Sequence, residues 1–554
     1  MQLHKLTADF AISAQVTVDD VKELAARGIH TLICNRPDGE ATNQPSQDTI
    51  GRAAAAEGLT FHYLPTSTSE IADSTVNAFA TLLQQAPTPV VAYCRSGTRA
   101  AMLWALSETG KQNLCDILKT TKKAGIDISS IRGRLSLRNA DSHYQVVIVG
   151  AGSTGIATAS SLKIRQPGLE IVLIDPADAH YYQPGWTMVG GGVFEAKSTV
   201  RTMASVIPSD VQWIKESVVA FDPKSNALTL ENGRVVQYEQ LIICPGLKLD
   251  WAAIDGLPEA LGTHGVTSNY RYDLAPYTWQ LVQQLDAGKA LFTQPPMPIK
   301  CAGAPQKALY LSCDYWLKNK RQGKVKTHFY NAGAVLFGVA DYVPALMAYM
   351  EKYAVDLMFN HKLIAVDGPN KRATFLRTHK DGSTETVVEA FDMLHVVPPQ
   401  VAPDFIRTSP LVDATGWIDV DPTTLRHRSF LNIHALGDVV NTTNAKTMAA
   451  ARKQAPVVAT NVLVSLGLKT TRAAYNGYGS CPLTVERGKV VLAEFLYGGK
   501  LAPTFSRWIL DGRKPSRLGW FLKAHILPPF YWHCMLKGRE WFADTPMVEP
   551  ETQP

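Results

Sequence analysis

The sequence predicts an α/β protein in which a small N-terminal α/β domain precedes tandem Rossmann-like folds and a short C-terminal segment suited to a membrane interface. Three observations lead there. The apolar run Tyr144–Val149 ends in the turn Gly150-x-Gly152-x-x-Gly155, and a helical pattern follows it. Short apolar strands alternate with helical patterns on both sides of that turn, as in βαβ units. Residues 506–554 have a different texture, aromatic and basic together.

At 554 residues the chain is long enough for two or three domains, since single cores stop growing near ~250–300 residues. The net charge of +6 is small for that length, so nothing points to nucleic acid. The eight cysteines (Cys34, Cys94, Cys115, Cys244, Cys301, Cys313, Cys481, Cys534) are sparse. They form neither a secreted disulfide framework nor a metal-binding cluster, and no metal is expected. The N-terminus lacks the apolar stretch of a signal peptide. No run of about eighteen apolar residues offers a membrane span. A soluble or peripheral cytoplasmic protein is expected.

Residues 1–112 read as the first domain. Val21–Ala26 begins a helix, and His30–Cys34, Phe61–Leu64 and Pro89–Tyr93 are strands. Residues 113–143 are richer in Lys, Arg and Ser, lack a strong apolar period, and read as a linker with room for a helix. Residues 144–505 form the main body. Its strands are Tyr144–Val149, Glu170–Ile174, Gln240–Ile243, Lys326–Tyr330, Met393–Val397 and Leu431–Ala435, with a helix at Ile156–Arg165.

The turn carries the first chemistry. Gly150 permits the tight bend, Gly152 lets the backbone approach a pyrophosphate, and Gly155 lets the helix pack closely on the strand. The helix N-terminus then offers free N–H groups to phosphates. Asp175 ends the second strand about twenty residues on, where its carboxylate can accept ribose hydroxyls. A glycine-rich turn in some other α/β fold would not explain that acid. Near the C-terminus, LNIHALGDVV runs a strand into Gly437–Asp438. This resembles the second FAD motif of flavoproteins with two dinucleotide folds, and the following run, NTTNAKTMAAARKQA, resembles the helix they aim at the flavin. Lys446 would help that helix stabilise negative charge on the flavin. The strand Val325–Tyr330 is followed by NAGAVLFG, which lacks a second glycine fingerprint. Electrons are therefore not expected from a nicotinamide.

Cys301 lies in IKCAGAPQKALY and Cys481 in YNGYGSCPLTVE. A free cysteine is most often a small buried hydrophobe. Here, however, Cys301 precedes a Gly-Ala-Pro turn, and Lys307 could lower its thiol pKa by folding back. From Tyr144 to about Phe542 the chain resembles the mitochondrial-type sulfide:quinone oxidoreductases. The resemblance rests on HYYQPGWTMVGGG (His180–Gly192), CAGAPQKALYLS (Cys301–Ser312), MLHVVPPQ (Met393–Gln400), GWIDVD (Gly416–Asp421), GYGSCPL (Gly477–Leu483) and VLAEF (Val491–Phe495). It implies that Cys301 and Cys481 are a redox pair beside FAD, with Gln183 and Lys307 also at the cofactor. Sulfide would open the cysteine bridge, leaving a persulfide on one cysteine, by analogy Cys481, and a thiolate on Cys301 beside the flavin. Two electrons would pass through FAD to a ubiquinone-type quinone, and a small thiol would take the sulfur. Cys244, in LIICPG, reads as packing.

The tail GWFLKAHILPPFYWHCMLKGREWF is broken by Pro528 and Pro529, so it cannot span a bilayer. It reads as an interfacial element, with Trp520, Phe521, Leu522, Ile526, Leu527, Phe530, Tyr531 and Trp532 in the acyl boundary. Lys523, Lys537 and Arg539 would meet headgroups. A helical pair packed on the core is the alternative. Peripheral, monotopic attachment on the cytoplasmic side of a membrane is the expectation.

In the first domain, TPVVAYCRSGTRA sets Cys94 at a strand end, with a short loop closing on Arg99. Backbone N–H groups around a cysteine at a helix N-terminus make an anion cradle, and an arginine can hold an oxyanion bidentately. Protein tyrosine phosphatases use such a loop with one more residue, and the spacing here is closer to that of rhodaneses. Together with IHTLICNRPDGE, it resembles a small phosphatase-like family, often described as sulfurtransferase-like, that occurs beside sulfide-oxidising enzymes. Asp38 and Asp73 are both candidate acids. Cys94 could relay sulfane sulfur, or the domain could be a phosphatase-like regulator. For the main body the rivals are a type-II NADH:quinone oxidoreductase and a non-enzymatic flavin-binding scaffold or redox sensor.

Overall fold

The computed structural model describes residues 1–67, 71–109, 111, 112, 114–131, 134, 135, 143–543 and 546–548. It divides into two compact units, one made of Met1–Tyr144 with Val235–Gln237 and the other of the remainder.

The first unit is a five-stranded sheet in the order His4–Lys5, Phe10–Ser13, Val90–Tyr93, Thr31–Cys34, Thr60–Tyr63. All its pairings are parallel except the first. Its central strands are apolar without alternation because both faces are covered. Val21, Leu24 and Ile50 pack on one face, and Phe79, Leu103 and Trp104 on the other. The stretch expected as a linker joins this core instead. Leu114–Lys123 is helical, and Ile117, Ile128 and Leu135 are buried with Leu103 and Trp104. Its apolar residues are few and far apart, so their common face is weak in sequence. Residues 113, 132, 133 and 136–142 of this stretch lie outside the described residues.

The second unit holds two sheets of the expected kind. One has the order Gln212–Ile214, Ile171–Ile174, His143–Val149, Val235–Ile243, Ala227–Leu230, Val218–Asp222, with Ile433–Ala435 also pairing Val235–Ile243. The other is parallel throughout, in the order Val266–Thr267, Met393–His395, Gly288–Gln294, Val325–Asn331, Asp356–Phe359. The Ser153–Arg165 helix follows the first strand of the first sheet, and the Met448–Ser465 helix follows its last. A hairpin, Gly479–Glu486 with Lys489–Phe495, shares a core with the Ala304–Lys318 helix through Leu483, Val485 and Leu309. Cys481 and Cys301 sit where hairpin and helix meet.

Candidate active site

The glycine turn has the conformation its spacing requires. Gly150 adopts φ +101, and a Cβ there would lie 2.7 Å from the Cys244 carbonyl oxygen. A Cβ on Gly155 would lie 1.9 Å from the Gly150 carbonyl oxygen, so only glycine lets the Ser153–Arg165 helix start this close to the strand. Gly152 differs: a Cβ there would meet nothing within 4 Å. Open space beside a helix N-terminus is what a diphosphate occupies. Asp175 accepts from the Ala151 N–H at 2.7 Å and the Ala177 N–H at 2.9 Å, which fixes its carboxylate at the turn. Cys244 is buried, with its thiol on the Gly150 carbonyl at 3.4 Å, and burial pushes its pKa up.

The distant Gly437–Asp438 turn meets this one. Gly437 has φ +84, and a Cβ on it would come within 3.0 Å of Thr154 Oγ1. Its N–H donates to Gln454 Oε1 at 2.8 Å, tying the turn to the Met448–Ser465 helix. The Lys446 ammonium donates to the carbonyls of Asp438 (2.7 Å) and Val440 (2.8 Å) and lies 4.2 Å from the Trp417 ring centroid. Burial pushes its pKa down to about 8, against the pull of Asp438. Lys446 thus braces the turn with the charge expected to face the cofactor.

The cysteine pair lies beside that turn. Cys301 Sγ and Cys481 Sγ are 3.9 Å apart, and both are free thiols. The Cys301 N–H donates to the Lys446 carbonyl at 2.8 Å, and the residue takes φ +49, a strained conformation for a side-chain-bearing residue. A Cβ on Gly303 would fall 2.6 Å from Cys481 Sγ, so the glycine lets the two segments close. Lys307, on the first turn of the Ala304–Lys318 helix, does fold back: its Nζ donates to Cys301 Sγ at 3.1 Å. Cys301 is held well below the usual thiol range, first by the Cys481 thiol's hydrogen bond, then, against burial, by the Lys307 ammonium. Cys481 is pushed correspondingly up. Gln183 accepts from Lys300 Nζ at 2.7 Å, and burial lowers Lys300 against the fields of Asp438 and Cys301. Sequence reading thus named residues that do come together: Gly437–Asp438, Lys446, Cys301, Lys307 and Cys481, with Gln183 linked through Lys300.

It misplaced another. Lys523, expected at lipid headgroups, is 5% exposed and turned inward, where the fields of Lys307, Cys301 and Cys481 act on it. Burial, helped by Lys307, pushes its pKa down to about 7. It lies in the π-helical turn Leu522–Ile526, an insertion that re-aims side chains and often marks functional sites. A lone lysine inside an apolar helical run was the available signal. Tyr531 and Trp532 are likewise buried, because they pack on His180 and Tyr182. Trp508, Phe521, Ile526, Leu527, Trp541 and Phe542 remain exposed.

Residues 144–294 match the family described as pyridine nucleotide-disulphide oxidoreductase. The mitochondrial sulfide:quinone oxidoreductase of Dictyostelium discoideum is 38% identical over 434 residues, covering 77% of this chain and 94% of that protein. The chain belongs to the sulfide:quinone oxidoreductase family. It shares its fold with the solved sulfide:quinone oxidoreductase of Aquifex aeolicus (TM-score 0.59, 19% identity, 72% of this chain and 92% of that one). Its cofactor is FAD, and the residues present fit that group. Gly152 faces open space at a helix N-terminus, Asp175 is fixed beside it, and Gly437–Asp438 closes in through Thr154.

Residues 2–111 match the phosphatase-like domain of beta-lactamase hydrolase-like proteins. One such protein, from Xylella fastidiosa, is 37% identical over 108 residues, which is 20% of this chain and 25% of that protein. In this sulfide:quinone oxidoreductase the N-terminal unit buries Cys94 (1% exposed) at the end of Val90–Tyr93. Gly97, at φ +88, caps the Thr98–Ser107 helix. Arg99 already holds an anion bidentately, the Glu40 carboxylate, at 2.7 Å through each terminal nitrogen, and donates to the Thr66 carbonyl at 2.7 Å. Arg36 reaches the same carboxylate at 3.0 Å. Glu40, at the end of IHTLICNRPDGE, is the arginine's anchor. Asp73 pairs with Arg134, and Asp38 accepts from the Gln47 N–H at 2.9 Å.

Proposed function

We propose that the chain oxidises sulfide at Cys301 and Cys481, passes the electrons through FAD to a ubiquinone-type quinone, and gives the sulfur to a small thiol. The observation that carries this is the pair itself: two sulfurs 3.9 Å apart, Cys481 buried and Cys301 partly buried with an ammonium at 3.1 Å, beside the Gly437–Asp438 turn. Gly150, Gly152, Gly155, Asp175, Gly437 and Asp438 would hold FAD, which supplies a two-electron acceptor that a quinone can reoxidise.

In the oxidised pair the two sulfurs are bonded. Hydrosulfide attacks one of them, the S–S bond breaks, and the other leaves as thiolate. Exchange favours the leaving group of lower pKa. Lys307 stabilises the Cys301 thiolate, so the attack falls on Cys481, which keeps the added sulfur as a persulfide. Lys523, charged below pH about 7, adds a second cation that draws the anion in. The acceptor thiolate then attacks the outer sulfur of the Cys481 persulfide and releases the Cys481 thiolate. Loss of two electrons from the two thiolates restores the bridge.

The exposed apolar residues from Trp508 to Phe542, with Lys537 and Arg539 exposed among them, suit a membrane surface. No helix among the described residues is long and apolar enough to cross one. The reading is peripheral attachment on the cytoplasmic side, where the quinone is reached from the bilayer.

For the N-terminal unit, Cys94 takes sulfane sulfur from the Cys481 persulfide or from the thiol that carries it. The backbone N–H groups of residues 95–98 steady the sulfur anion, while Arg99, held by Glu40, braces the loop. A Cys94→Ala variant should keep sulfide-dependent quinone reduction but shift the distribution of sulfur products. An unchanged product distribution rejects the relay and leaves a regulatory phosphatase-like domain.

A further inference from the structure

The C-terminal tail reaches the dinucleotide turn itself. Tyr531 is 2% exposed, and its hydroxyl lies 2.6 Å from Ser153 Oγ and 2.5 Å from His180 Nε2. Ser153 is the first residue of the helix that follows Gly152. His180, 3% exposed and kept neutral by burial with its pKa down at about 4, also bonds the backbone of Ala151. The three side chains therefore bracket the turn, touching it at Ala151 and at Ser153.

Beyond Tyr531 the tail follows that helix along its length. Ser160 Oγ donates to the Leu536 carbonyl at 2.7 Å. A Cβ on Gly538 would lie 2.9 Å from the Ser160 carbonyl oxygen, so the two backbones touch. Ser161 donates to Glu540 at 2.6 Å, and Arg165 grips the same carboxylate through both terminal nitrogens, at 2.6 and 2.8 Å. Arg452, from the Met448–Ser465 helix, closes the far end on the Trp541 carbonyl at 2.6 Å.

We propose that residues 531–542 form a clasp on the cofactor turn, with Tyr531 as the residue that positions the N-terminal end of the Ser153–Arg165 helix for the FAD diphosphate. A phosphate cradle works by presenting N–H groups already aimed. The Tyr531 bracket fixes the aim, so FAD affinity depends on the tail being seated. Linkage makes the converse true: bound FAD holds the tail down.

The test uses full-length protein stripped of flavin and titrated with FAD, with binding followed by flavin fluorescence. Tyr531→Phe keeps the ring and removes both hydroxyl bonds, leaving Ser153 and His180 without that partner. FAD affinity should fall about tenfold. In the wild-type chain, amide exchange across 531–542 should slow when FAD is added. Affinity within about twofold of wild type in Tyr531→Phe, or exchange across 531–542 that ignores FAD, overturns the clasp. The exchange measurement needs no variant, so it stands even if the substitution disturbs folding.

Discussion

Replacing Lys307 with methionine removes the ammonium beside Cys301 and keeps a side chain of similar length in its buried place. The lost contact is 3.1 Å long. Two unit charges at that separation interact by ~5 kcal/mol at an effective dielectric of ~20, and each pKa unit is ~1.36 kcal/mol. The Cys481 hydrogen bond, the largest of the influences lowering Cys301, survives the change. Methionine also adds no charge that could take the ammonium's place. The lost charge is worth at most ~4 pKa units. Lys523, whose charge the Lys307 ammonium opposes and which also lowers Cys301, gains charge in the variant and offsets part of it. The Cys301 pKa should therefore rise by about 1–3 units, not return to that of a free thiol. A thiolate persists above its pKa, so raising the pKa removes the anion first at the acid end. The assay is alkylation of the anaerobically reduced protein across pH, with Cys301 and Cys481 quantified separately by mass spectrometry. At pH 7 the variant should label Cys301 roughly 10–100-fold more slowly, with the inflection moved upward and Cys481 remaining the slower site. An inflection within about 0.3 unit of wild type would refute the assignment of the Cys301 thiolate to Lys307.

Lys523 loses its charge as pH rises through about 7, so KM for sulfide should climb above that pH in the wild type and stay flatter in Lys523→Arg, which remains charged. Identical pH profiles would remove Lys523 from substrate capture. Gly155→Ala places a methyl 1.9 Å from the Gly150 carbonyl and should destabilise the fold by about 3 kcal/mol, seen as loss of bound flavin and a lower Tm. Phe521, exposed on the tail, should reduce sedimentation with quinone-containing vesicles when changed to serine while leaving sulfide-driven flavin reduction intact. Unaltered sedimentation would move the membrane contact elsewhere.

The dinucleotide turn was legible in sequence because Gly150, Gly152, Gly155 and Asp175 meet local requirements of backbone and phosphate. The cysteine pair was legible only through resemblance, since Cys301 and Cys481 are brought together by a helix and a hairpin distant in the chain. Lys523 shows the limit. It was expected at lipid headgroups, but a π-helical turn that no periodicity announces turns it inward. Arg99 was expected to be open to an anion, but Glu40 occupies it, a long-range pairing that spacing alone does not reveal. The helix Leu114–Lys123 lies in the stretch where a helix was allowed; its many polar residues hid the buried contact that Ile117 makes with the first core.

Anaerobic titration of the purified, FAD-loaded protein tests the central claim most directly. Sulfide added in steps should bleach the flavin through a transient long-wavelength band, and both the band and the bleaching should vanish in Cys301→Ser and Cys481→Ser. Flavin that is bleached by NADH and left unchanged by sulfide would contradict the account.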